Sequence, residues 1–88
     1  MRATHQTAFL PYVHVFRLVV LAGLGQFDDW DAEHARALAS IETTDAKDRD
    51  LEAMAQLAAE LAQVAGQRDI AAAAWAIARG QALGRQPQ

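Results

Sequence analysis

Two Gly-Gln pairs, Gly25-Gln26 and Gly66-Gln67, stand 41 residues apart, each after an apolar stretch and shortly before an acid that can start a helix. The repeated punctuation reads as helix, break, helix twice over. It is the pattern of two helical hairpins in series, each too small to bury its own apolar face alone. A chain of 88 residues supports one hydrophobic core, so both hairpins are expected to belong to a single domain over 1–88. Alanine fills 21 positions against five glycines and two prolines, a balance that favours helix over strand or disorder. The expectation is an all-α protein: a four-helix antiparallel bundle built as two stacked helical hairpins.

The first helix is predicted over 8–24, with Thr7 as its cap and Pro11 at the end of the first turn, where a missing N–H is harmless. Phe9, Val13, Phe16, Val20 and Leu24 recur at helical steps of four, three, four and four, and a second apolar stripe of Tyr12, Val15 and Val19 runs beside them. A helix apolar over most of its girth is either central or waiting for a partner. The second helix is predicted from Asp28 or Asp29 to about Ile41, with Trp30, Ala37, Leu38 and Ile41 on its buried edge. Thr43 and Thr44 offer the next cap, before a helix over 45–65 whose predicted buried stripe is Leu51, Met54, Leu57, Ala58, Leu61, Val64 and Ala65. Gly66 suits its left-handed end, and a last helix over 69–83 stops at Gly84. Residues 1–7 are expected to be a mobile start and 85–88 a frayed tail.

Within 57–78, Gly66, Ala71, Trp75 and Ala78 are spaced so that small residues fall where helices approach closely and a ring fills the gap between them. At this spacing the segment resembles a tetratricopeptide helical hairpin. The first hairpin matches at Gly25, Phe27 and Ala37 and departs at Trp30, where a small residue belongs, and at His34, where an aromatic belongs. Gly23-Leu24-Gly25-Gln26, followed by an acidic helix start and Ala32, is similar to the small repeat-like chaperones that hold the needle subunit in type III secretion. That resemblance implies a groove sheltering an amphipathic helix of a client. The apolar helix followed by Gly25, Phe27 and Trp30 also resembles helical accessory segments of nitrile hydratases, although the aromatic residues of the next helix are missing.

Net charge is −3, and residues 28–69 carry all eleven acids with only Arg36, Lys47, Arg49 and Arg68. Such a field does not suit a phosphate backbone, so nucleic acid is not an expected partner. The apolar run 9–24 is too short for a membrane span and holds Arg17 in its middle; a secretory signal would place its charge before the run. A cytoplasmic location is expected.

Chemistry is sparsely signalled. The absence of cysteine removes disulfides, thiolate metal sites and a thiol nucleophile together. Ser40 lacks a glycine elbow, and Gly23-Leu24-Gly25 lacks the strand and lysine of a phosphate loop. Asp28, Asp29, Asp31, Glu33 and His34 could meet a divalent ion, but their ordinary role is helix capping and compensation of the helix dipole. His5 lies in the start, and His14 shares the polar side of the first helix with Arg17, with no acid nearby in sequence. No catalytic residue, metal ligand or cofactor is expected. The expected role is binding another protein chain, in a hetero- or homo-oligomer, through Tyr12, Val15, Val19 and the adjacent Phe16, with Trp30 as an anchor unless it fills the core. On that expectation Val15→Asp or Val19→Asp abolishes partner capture and leaves helicity intact.

Overall fold

The computed structural model describes residues 8–85, and the expectations for His5, Thr7 and the end of the tail lie outside them. Four helices follow one another: α1 (Leu10–Leu24), α2 (Trp30–Thr44), α3 (Arg49–Val64) and α4 (Arg68–Gly84), with a short 3-10 turn (Phe27–Asp29) leading into α2. The fold is an all-α four-helix bundle of two stacked antiparallel hairpins. α1 packs against both α2 and α3, and α3 against α4. Tyr12 meets Asp48 where α1 and α3 begin, and Gly23 lies beside Leu61 where they end, so these two helices run side by side in one direction.

The Gly-Gln pairs have a common geometry. Gly25 and Gly66 have φ of 74° and 81°, and the following Gln26 and Gln67 N–H groups donate to the carbonyls of Leu21 and Ala62, both at 2.9 Å. Each pair thus closes its helix with a left-handed residue and a bond reaching five residues back. α2 ends the same way without glycine: Asp45 has φ 53°, and Ala46 N–H donates to Ile41 O at 3.3 Å. Thr43 and Thr44 therefore finish α2 instead of capping α3. The cap of α3 is Asp48, extended at φ −146°, whose Oδ1 accepts from Asp50 N–H at 2.6 Å. Gly84 is the last residue of α4 and does not take a left-handed φ.

The contact between α3 and α4 is built mostly from small side chains. Ala55, Ala58, Ala59 and Ala62 of α3 are buried with Ala71, Ala74, Ile77 and Ala78 of α4. Alanine lets helix backbones approach closely, and the α3–α4 contact is the most extensive in the molecule. The predicted stripe of α3 is correct at Leu51 and Ala58. Leu57, Val64 and Ala65 are exposed, and Met54 and Leu61 half-buried, because the face that gives the closest approach is the alanine face.

The joint between hairpins is held by Gln81, a buried polar residue of α4. Its Oε1 accepts from Asp48 N–H at 2.7 Å and its Nε2 donates to Ala46 O at 3.0 Å. Arg85 Nη2 adds an ion pair to Glu52 Oε1 at 2.6 Å. The Cα atoms span 41 × 30 × 16 Å. At a helix spacing of about 8–10 Å the short dimension admits only two layers, so every helix keeps an outer face.

Candidate docking face

The two stripes of α1 divide between core and surface in the reverse of the expected sense. Val15 is 0% exposed and Leu18 1%, with Pro11 and Ala22 also buried and Tyr12 and Val19 half-buried. By contrast Phe9 is 67% exposed, Leu24 65%, Phe16 56%, Val13 42% and Val20 39%. α1 lies against both α2 and α3, and the side it turns to them carries Val15 and Leu18 into the cluster that holds Trp30, Ala37 and Leu51.

Hydrogen bonds lock this rotation on both flanks. Towards α3, Tyr12 Oη donates to Asp48 Oδ2 at 2.5 Å. Towards α2, His14 Nδ1 donates to Glu33 Oε2 at 2.5 Å, while Glu33 Oε1 accepts from Arg36 Nη1 at 2.9 Å and lies 3.8 Å from Arg17 Nη1. Glu33 is buried. Burial alone would raise its carboxyl pKa, but the hydrogen bonds from His14 and Arg36 and the charges of His14 and Arg17 outweigh it, and the net shift is downward. His14 does have an acid partner, 19 residues away in sequence and across the hairpin.

Of the candidate contact residues, Val15 lies in the core and Trp30, 1% exposed, does too. Trp30 sits with its ring stacked on His34 at 6.2 Å between centroids and tilted against Phe27 at 6.5 Å, filling the turn between α1 and α2. Phe16 alone of the five is strongly exposed. Phe9, Val13, Val20 and Leu24 complete the surface stripe, and none of them is among the contact residues expected from the sequence. No signal along the chain separates this stripe from the one beside it, since both are apolar at helical spacing.

The stripe forms a ridge with a hollow on each side. One hollow, about 560 Å³, lies between α1 and α2, with Val20, Leu21 and Ala32 on its walls and Arg17 and Arg36 at its rim. The other, about 620 Å³, lies between α1 and α3 and is lined by Tyr12, Ala53 and Met54 with Asp50. Val13 and Phe16 border both.

The acidic cluster is split. Glu33 turns inward to His14, while Asp28, Asp29 and Asp31 remain exposed. Asp29 occupies the cap position of α2 with no side-chain bond to the helix, since the preceding 3-10 turn leads directly into it. Among the described residues no group of three or more His, Asp or Glu side chains converges to hold a metal ion, and no helix is long and apolar enough to cross a membrane.

The tyrosine bond gives a pH signature. The Asp48 carboxylate accepting its proton, burial and the nearby acids push the Tyr12 phenol up to about 12. A folded-state value above the unfolded 10.0 means a stabilising contribution that is whole below pH 10 and lost as pH rises towards 12. Tyr12→Phe is therefore expected to lower the urea midpoint at neutral pH and to remove part of the alkaline loss seen in the wild type. Identical alkaline slopes in the two proteins would show that Tyr12 makes no such bond.

No family model matches this chain, and comparison with curated proteins and with solved structures returns no significant match.

Proposed function

We propose that this protein is a protein-binding module, acting as a chaperone, adaptor or small subunit, that covers an apolar helix of another polypeptide with the outer face of α1. The observation that carries the reading is the stripe itself. Five apolar side chains lie in helical register on one exposed side of a helix already packed on two others. Their exposed area is on the order of 500 Å², at the upper end of the largest apolar patch found on ordinary monomers. At about 25 cal/mol per Å² this corresponds to about 12 kcal/mol gross, against an association cost of roughly 4–15 kcal/mol. The surplus is small, so affinity rests on fit at the centre, where Phe16 stands between two hollows. The resemblance of 57–78 to a tetratricopeptide hairpin supports the same class of role, since stacked hairpins offer grooves between successive helices.

The test is a titration of a labelled amphipathic helical peptide, with leucines at steps of three and four, against wild type and Phe16→Asp. Loss of a central aromatic anchor is worth about 2 kcal/mol or more, so binding is expected to weaken about thirtyfold or further with unchanged circular dichroism. Equal affinity for both proteins would refute the proposed face.

A further inference from the structure

Resting on the reading of α1 as a docking face, we propose that its occupant is the same face of a second copy of this chain, the two α1 helices lying antiparallel about a two-fold axis at Phe16. An isologous contact demands a patch complementary to itself under the rotation. The stripe meets this demand in position and in exposure. Phe9 lies as far before the point between Phe16 and Arg17 as Leu24 lies after it, and Val13 as far before as Val20 after. The end residues are 67% and 65% exposed, the inner pair 42% and 39%, and Phe16 at the centre 56%. In the antiparallel pair, Phe9 meets Leu24 of the other copy, Val13 meets Val20, and the two Phe16 rings meet across the axis.

Area and charge agree with this geometry. Two stripes of on the order of 500 Å² remove about 1,000 Å² of apolar surface when fully covered, the lower bound for a specific interface. α1 carries no acid in its first turn and no base in its last, so neither end of its dipole is compensated by α1's own side chains. An antiparallel neighbour brings opposite ends together, whereas a parallel one would align like ends. Arg17, the charge nearest the axis, lies 3.8 Å from the Glu33 carboxylate, which partly neutralises it in each copy.

The chain has no cysteine, so an introduced thiol reports a single contact. Sedimentation equilibrium of the wild type at tens of micromolar is expected to give twice the 9.6 kDa chain mass, and Phe16→Asp the mass of one chain with unchanged helicity. Under mild oxidation, Val13→Cys mixed with Val20→Cys is expected to give a disulfide-linked pair, and each variant alone only a small fraction of that yield. A wild type that sediments as one chain overturns the self-pairing, as does a dimer in which each variant links to itself better than to the other. The docking reading fails separately, if Phe16→Asp binds the labelled helical peptide as well as the wild type does at concentrations low enough for the wild type to be a single chain.

Discussion

Val15→Asp should leave no folded protein at neutral pH, whereas Phe16→Asp, one position along the same helix, should keep the full helical signal. Val15 has no exposure and belongs to the cluster formed by Leu18, Trp30, Ala37, Leu51 and the alanines of α3. A carboxylate placed there loses its water and gains no partner, which costs several kcal/mol. A domain of this length is stable by roughly 4–13 kcal/mol in all, so one such change removes much or all of the margin. Far-ultraviolet circular dichroism with a thermal melt measures both variants. A Val15→Asp protein that melts like the wild type would mean that α1 is turned about its axis relative to the fold described above. The outcome also decides which apolar stripe is available to a partner.

The second large effect is expected at Glu33. Glu33→Gln keeps the shape of the side chain but removes the charge that holds His14 and Arg36. Arg17 and Arg36 remain in contact with water, while His14 is left in drier surroundings, so the expected loss is about 2–3 kcal/mol, below the full penalty of a broken buried pair. Arg36→Gln removes only an exposed donor and should cost under about 1 kcal/mol. The acid limb gives an independent readout. The folded-state pKa of Glu33 lies below its ordinary 4.5, so its contribution is present above that pH and is lost as pH falls through the lower folded value. Asp48 is likewise held below 3.8, by the Tyr12 hydrogen bond and the Asp50 N–H, and supplies a second part of the same limb. Urea unfolding near neutrality and near pH 3 should show a shallower acid loss in Glu33→Gln than in the wild type. Parallel acid limbs would show that Glu33 has no special partner in the folded state.

What the residues disclosed in advance was set by short-range rules. Gly25 and Gly66 announce two helix ends because a left-handed residue without Cβ is the simplest way to close a helix, and both take that conformation. Asp45 does the same work at the end of α2 but looks like an ordinary acid in sequence, so the pattern puts the start of α3 at 45, whereas the helix begins at Arg49. The rotation of α1 and α3 depended on neighbours. Periodicity shows that a helix has an apolar side, but when two apolar stripes lie next to each other the inner one is decided by the helices opposite. Val15 turns inward to the cluster of Leu18, Trp30 and Leu51, and Phe16 stays outside. Pairing across helices was the least legible part. His14 and Glu33 carry no mutual signal along the chain, and the acids around Glu33 concealed the one that turns inward. Gln81 gave no hint of its place at the joint.

Gln81 has a consequence for the order in which the molecule can assemble. α3 and α4 share the most extensive contact and can form their hairpin locally, but the residues joining it to α2 are clasped only when the last turns of α4 exist to present that amide. Until then the linker at 46–48 has no clasp, and the leading hairpin is held only by α1 against α3 and by the Tyr12 bond to Asp48. The last fastening of the molecule thus comes from a side chain thirty-three residues further on than the Asp48 it grips.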